Sequence, residues 1–453
     1  MSRRVVISGL GVISPVGLGA EATFDALVEK RCGVRRISLF DPGHFPSQIG
    51  GEVAEYRIAD YVPKNYRKNT KVMARDIELA VIAATLAVRD AGLRTKCLLE
   101  RGEAQPPANV DSTRFGANIG AGLICADLNE LAGALAGAVE PTEDGPAAGP
   151  AQGRRFSLHR WGKGMEALTP LWLLKFLPNM LACHVTIVHD AQAPSNTLTC
   201  GEASSHLAIG EAFRTIQRGA ADLCICGGAE SKINPMGLMR PTLLKRVVTD
   251  SNDAPERACR PFDASRRGTV VSEGGGLLIL EELEHARARG ARIYAEVVGF
   301  GAAQDATSWS TPAPDGRALR LAVEKALADA AVRSDQVDLV NAAGVGIVDD
   351  DLAEATGLRA ALGGHGGKVP VLATKGALGN NGAGSGAIDV AVCALAMFRG
   401  VVPPSQNTER VDPACGLNVV REEPRDVRAH CVVSVATALS GAQTAALVLK
   451  RAG

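Results

Sequence analysis

Aromatic side chains are scarce in this sequence: ten Phe, four Tyr and three Trp among 453 residues. The core must therefore be assembled from Ala, Val, Leu and Ile, and the 50 glycines point to tight turns and close backbone packing. An excess of either charge is missing too. Lys plus Arg and Asp plus Glu both number 49 and the pI is about 7.1, which removes any global electrostatic attraction to nucleic acid or an anionic membrane. Long hydrophobic runs are also lacking. The most apolar stretch, Pro170 to Val188, is interrupted by Lys175, Pro178 and Asn179, so it reads as a buried element and not a membrane span. At the N-terminus, Val5-Val6-Ile7 is too short for the apolar part of a signal peptide and reads as a first strand. The eleven cysteines match no disulfide scaffold. Cys224 and Cys226 alternate within a strand-like run, as core residues do, and no second pair stands at zinc spacing. What remains, at 46% hydrophobic and 22% charged, is a globular chain expected in the cytoplasm, long enough for one large domain or two fused halves.

The order of landmarks then repeats. A helix-period segment, Ala74 to Leu93, contains Asp90-Ala91-Gly92, and a second, Ala318 to Val332, contains Asp329-Ala330-Ala331. Each leads to a strand and a small-residue loop, Arg114 to Gly120 and Val337 to Gly344. Each half continues with an apolar helix closing in Arg-Gly, about Glu202 to Gly219 and about Asn381 to Gly400. An apolar strand and turn follow, Asp222 to Glu230 and Cys431 to Gly441. This predicts duplicated β-α-β-α-β halves, residues 1–255 and 256–453, stacked as an α/β layered domain. The Ala-, Gly- and Pro-rich stretch near 138–165 reads as an exposed insertion.

Seven segments in order resemble the β-ketoacyl-acyl-carrier-protein synthases of the thiolase fold. They are Arg4 to Gly11, Ser14-Pro15-Val16-Gly17, Asn179 to Ile187, Gly227-Gly228-Ala229-Glu230, Arg260-Pro261-Phe262-Asp263, Gly274 to Gly276 leading into Leu280-Glu281-Glu282, and Val402 to Asn407. The resemblance implies an α-β-α-β-α layered fold, a dimer paired through the strand Asn196 to Thr199, and a place in fatty-acid or polyketide biosynthesis. It implies no cofactor and no metal.

The family's active site uses a Cys at a strand-to-helix turn, where the helix N-terminus lowers its pKa, and two His that stabilise an enolate. Counted without a gap from Pro194 or back from Ile209-Gly210, the nucleophile position falls on Glu202, with Cys200 two residues early. The first His position, in an Asn-Ala-His-Gly-Thr pattern, is Ala343, and the second, five residues after Lys375, is Asn380. Val345 and Ile347 stand where pantetheine-gripping Thr residues are expected. Ser440 holds the oxyanion-hole position. Lys375 and Glu354 resemble a buried-charge pair of the family, with Asp351 beside it.

Three readings of Glu202 stay open: a carboxylate stabilising a helix N-terminus, a plug in the oxyanion pocket, or a general base of raised pKa. A standard Cys-His-His condensation is not expected. The leading expectation is a non-condensing partner like the chain-length-factor subunits of polyketide systems, paired with an active ketosynthase, or else a homodimer. The alternatives are an acyl-thioester enzyme (hydrolysis or decarboxylation) using Glu202, and residual condensation through Cys200. Lys64, Arg67, Lys68 and Lys71, running on to Arg75, form a basic patch where family members dock an acyl carrier protein, so a carrier is a further expected partner. His184 and His206 read as core or dimer packing. Gly274-Gly275-Gly276 reads as a close-packing device and not a phosphate loop.

Overall fold

The computed structural model describes residues 3–141, 153–439 and 443–452. Among them, the main sheet has eleven strands that matter here: β1 Val5–Ser14, β2 Phe115–Ala121, β3 Ser195–Leu198, β4 Leu223–Ser231, β5 Glu273–Glu282, β6 Ala295–Gln304, β7 Leu339–Asn341, β8 Pro370–Leu372, β9 Asn418–Val419, β10 Cys431–Thr437 and β11 Gln443–Lys450. Their order is β9-β8-β7-β10-β11-β6-β1-β5-β4-β2-β3. Five helices complete the frame: α1 Arg75–Asp90, α2 Met180–His189, α3 Ser204–Gln217, α4 Arg317–Asp329 and α5 Val348–Leu362, followed by a sixth, α6 Ser385–Arg399.

The duplication is visible in single residues. In β1, Gly9 and Gly11 lie under α1, and a Cβ on Gly11 would stand 1.9 Å from the Ala83 carbonyl oxygen. In β6, Gly299 and Gly301 lie under α4, and a Cβ on Gly301 would stand 2.2 Å from the Ala322 carbonyl oxygen. Both strands carry a bulge just before the first of these glycines. The closing acids match as well. Asp90 accepts from the Leu10 N–H at 2.8 Å, and Asp329 accepts from the Phe300 N–H at 2.9 Å. These two acids are the ones that end the repeated sequence segments.

Only Val5, Val6 and Ile7 of β1 pair with β6, so one short ladder joins the two half-sheets. Helices α3 and α6 contact strands of both halves. The sheet therefore wraps around a central helical layer, with α1 and α4 outside it, giving the α-β-α-β-α order. That position explains the near-complete burial of α6 from Ser385 to Met397. Gly382–Arg399 is long and apolar enough to cross a membrane, yet 89% of it is buried inside the fold, as a core helix is.

Strand β5 pairs with β1 and β4, so the first half-sheet extends to Glu282. One expectation is corrected here. The run from Pro170 to Val188 is not one buried element. Met180–His189 is helical, with Leu181, Val185 and Val188 buried, but Leu171 and Leu173 are largely exposed. The expected insertion falls partly outside the described residues. Its described flanks, Val139–Pro141 and Arg154–Phe156, pair as a two-stranded ribbon.

Candidate functional site

Glu202 lies between β3 and α3, after Gly201 in a left-handed conformation at φ 56°. Its side chain is almost wholly buried. Three donors converge on its carboxylate. Lys232 Nζ reaches Oε1 at 2.6 Å, Asn380 Nδ2 reaches the same oxygen at 3.1 Å, and the Leu439 N–H reaches Oε2 at 2.9 Å. Lys232 follows the last residue of β4, Asn380 precedes α6, and Leu439 follows β10. The turn at Gly379, φ 68°, presents Asn380. The Asn380 backbone is pinned by Val270 and Ser272, and its Oδ1 accepts from the Gly382 N–H at 3.0 Å, which leaves its amide NH2 aimed at Glu202.

Burial alone would raise the pKa of Glu202. The charge and hydrogen bond of Lys232, with the Leu439 N–H, outweigh it and pull the carboxyl down to about 2. The raised pKa expected of a general base is thus reversed, because an ammonium that no local sequence pattern announces sits 2.6 Å away. Lys232 itself is raised: burial opposes its charge, and Glu202 and Glu230 prevail. Glu230, penultimate in β4, is buried, accepts from the Ala383 N–H at 2.7 Å and is pushed up by burial.

The buried charges of the second half pair differently from the expectation. Lys375 is ion-paired to Asp389 of α6, not to Glu354, and Thr374 donates to the same carboxylate at 2.6 Å. Glu354 instead accepts from the Ala343 and Gly344 N–H groups at 2.7 and 2.8 Å. Asp351 accepts from Phe262, Val345 and Gly346 N–H groups. These two acids shape the 343–346 turn, and burial raises each to about 7.

Two voids meet at this turn. A void of about 10 Å³ is bordered by Glu202, Ala343, Lys375, Ser385 and Asp389, and one of about 50 Å³ by Ala343, Val345, Leu439, Leu319 and Trp309. The first has room for one water at most. Cys200 borders neither; its N–H is held by Ser204 Oγ at 2.8 Å and burial raises its thiol. Ser440 lies outside the described residues. Sequence reasoning missed Lys232 and Asp389. A lone acid inside the apolar run Ser385 to Met397 was a usable signal for Asp389, since a buried charge needs a partner.

Lys64, Arg67, Lys68 and Lys71 are exposed on the 3₁₀ segment Lys64–Val72, and among the described residues none of them has a carboxylate within ion-pair distance. Arg75 is not part of that patch: it grips buried Glu273 at 2.5 and 2.6 Å. His184 and His206 are buried, bonded to Tyr66 and Ser434, and no group of three or more potential ligands that could hold a metal occurs among the described residues.

Two half-sheets wrapped around a pair of core helices, with a polar site where β3 turns into the first of them, define a thiolase-fold protein. The sequence matches the model for the beta-ketoacyl synthase N-terminal domain over residues 2–286 and that for the C-terminal domain over 294–409, and the chain belongs to the β-ketoacyl synthase family. It is 34% identical to a putative polyketide beta-ketoacyl synthase 1 of Streptomyces halstedii, over 99% of this chain and 98% of that one. Among solved structures it resembles the ishigamide ketosynthase/chain length factor, with TM-score 0.82, 26% identity and full coverage of both chains. It also resembles a type II polyketide synthase complex of an acyl-carrier protein with its ketosynthase bound to the hexaketide, with TM-score 0.80, 25% identity and full coverage. The protein is thus ketosynthase-like, of fatty-acid or polyketide biosynthesis.

Proposed function

We propose that this chain is a non-condensing subunit, comparable to a chain-length factor, that pairs with an active ketosynthase and shares its acyl carrier protein. The observation that carries this reading is the bound state of Glu202. At the position the sequence assigns to the nucleophile stands a carboxylate with three donors already on it, and Ala343 and Asn380 supply no imidazole for an enolate. A base with a pKa of about 2 is a feeble proton acceptor at neutral pH, so the same geometry speaks against general-base chemistry. Two surface features support a partner. Strand β3 is the last strand of the sheet, leaving an edge that isologous or pseudo-isologous pairing would close. Leu158, Leu171 and Leu173 are 79%, 65% and 55% exposed, apolar surface that a partner would cover.

Incubation with acyl- and malonyl-carrier protein tests the reading by intact mass. No covalent adduct is expected on the unmodified chain, whereas an acyl thioester on Cys200 would overturn the proposal. Glu202→Cys alone is expected to restore acylation at most. Condensation should need Ala343→His and Asn380→His as well.

A further inference from the structure

Among the described residues, every polar group that touches the Glu202 carboxylate is a donor, and the donors come from three separate places in the chain. Each is held by something other than Glu202. The Asn380 amide is oriented by the Gly382 N–H, and its backbone is tied to Val270 and Ser272. The Lys232 N–H is bonded to the Ser272 carbonyl, and Glu230 lies within Coulombic reach of its ammonium. Leu439 follows Ala438, whose N–H is bonded to the Gln443 carbonyl. The backbone of all three donors and the Asn380 amide are thus fixed independently of residue 202. One ammonium, one amide NH2 and one backbone N–H, spread over both oxygens of a carboxylate, match a planar anion. They do not match a neutral amide, whose NH2 would face a donor.

We infer that Lys232, Asn380 Nδ2 and the Leu439 N–H constitute a binding site for a short monocarboxylate of the formate, acetate or propionate class, which the chain fills in cis with Glu202 as an autoinhibitory contact. Shortening residue 202 leaves the donors in place and adds the lost side-chain volume to the void that Glu202 shares with Ala343. The site takes one negative charge and not two, because buried Glu230 is a second anion within Coulombic reach of Lys232 and of residue 202. The inference rests on this geometry alone and holds whether or not the chain pairs with a ketosynthase.

The test is the full-length Glu202→Ala variant, titrated with sodium acetate against sodium chloride at equal ionic strength. A ligand that binds only the folded state raises Tm with the logarithm of its concentration once that exceeds Kd, here by about 2 °C at about 100 mM acetate. Wild type, whose site is filled, and Glu202→Gln, whose side chain still occupies the space although it matches the donors poorly, should show no acetate-specific rise, and acetamide should give none in any variant. Glu202→Ala combined with Lys232→Met should lose the response. If Glu202→Ala does not fold in chloride, refolding yield in acetate against chloride reads the same property, and a higher yield in acetate is expected. Equal yields, equal Tm shifts in wild type and variant, or a response that survives Lys232→Met would each overturn the inference.

Discussion

The Glu202–Lys232 pair should dominate the local energetics, and a double-mutant cycle measures it. At 2.6 Å and an effective dielectric of about 20, the gross attraction is about 6 kcal/mol. Burial takes back part of this. The net effect on Glu202 is a fall from 4.5 to about 2, which corresponds to about 3 kcal/mol of preference for the ionised carboxylate in the folded state. Lys232→Met leaves that carboxylate buried with only two neutral donors and should cost about 3–5 kcal/mol. Glu202→Gln should cost about 1–3 kcal/mol, because Lys232 keeps Glu230 nearby while the Gln, with one acceptor oxygen, cannot serve all three donors. The double variant should be more stable than the sum of the singles by about 3 kcal/mol. Urea denaturation of the four proteins gives the coupling. The sign with pH is fixed as well: a depressed carboxyl stabilises fully above its unfolded value, so the wild-type advantage should vanish as pH falls from about 4.5 to about 2. Additivity within about 0.5 kcal/mol would refute the reasoning.

Two further outcomes are expected. Asp389→Ala strands buried Lys375 and should cost about 3–5 kcal/mol, whereas Lys375→Met with Asp389→Leu should recover most of it; equal losses in both would show that the pair is not the relevant contact. Asp76, which lies in the first turn of α1 and accepts from the Ser231 N–H at 3.0 Å, is raised by burial to about 7, as are Asp351 and Glu354, so each binds a proton more readily folded than unfolded. Their contribution should decline as pH rises from about 5 to about 7, read as a falling denaturation midpoint that Asp351→Asn flattens, and a rising midpoint over that interval would contradict it.

What the sequence disclosed depended on whether the signal was periodic. The paired acids Asp90 and Asp329 stand at the same place in two helical repeats, and the structure gives both the same task, accepting one N–H from a bulged strand. Such landmarks survive because the fold repeats them. The polar site has no period. Lys232 stands just past the end of a strand, and nothing local says that a residue 30 positions from Glu202 will touch it. Glu354 and Lys375 were matched by resemblance, but Asp389, one helical segment later, captures the ammonium. The apolar run to Val188 misled for the opposite reason: composition alone does not say whether a hydrophobic segment faces the core of its own chain, and Leu171 and Leu173 do not.

The chemistry of Glu202 follows from the same contacts that hold it. A catalytic base must gain from accepting a proton, and every donor on this carboxylate makes protonation less favourable. The pKa of about 2 lies about five units below neutral pH, so a proton taken from substrate would be held weakly by a factor of about 10⁵ relative to a base poised near 7. Nor can the side chain release its donors cheaply, since Lys232 would then be left buried without its nearest counter-charge. A group so well bound is suited to hold a site closed and poorly suited to turn over. Replacing it with a thiol inverts this logic. The same ammonium that pins a carboxylate would stabilise a thiolate, which is why a single change at 202 is expected to recover acyl capture, while the carbon–carbon bond still waits on imidazoles at 343 and 380.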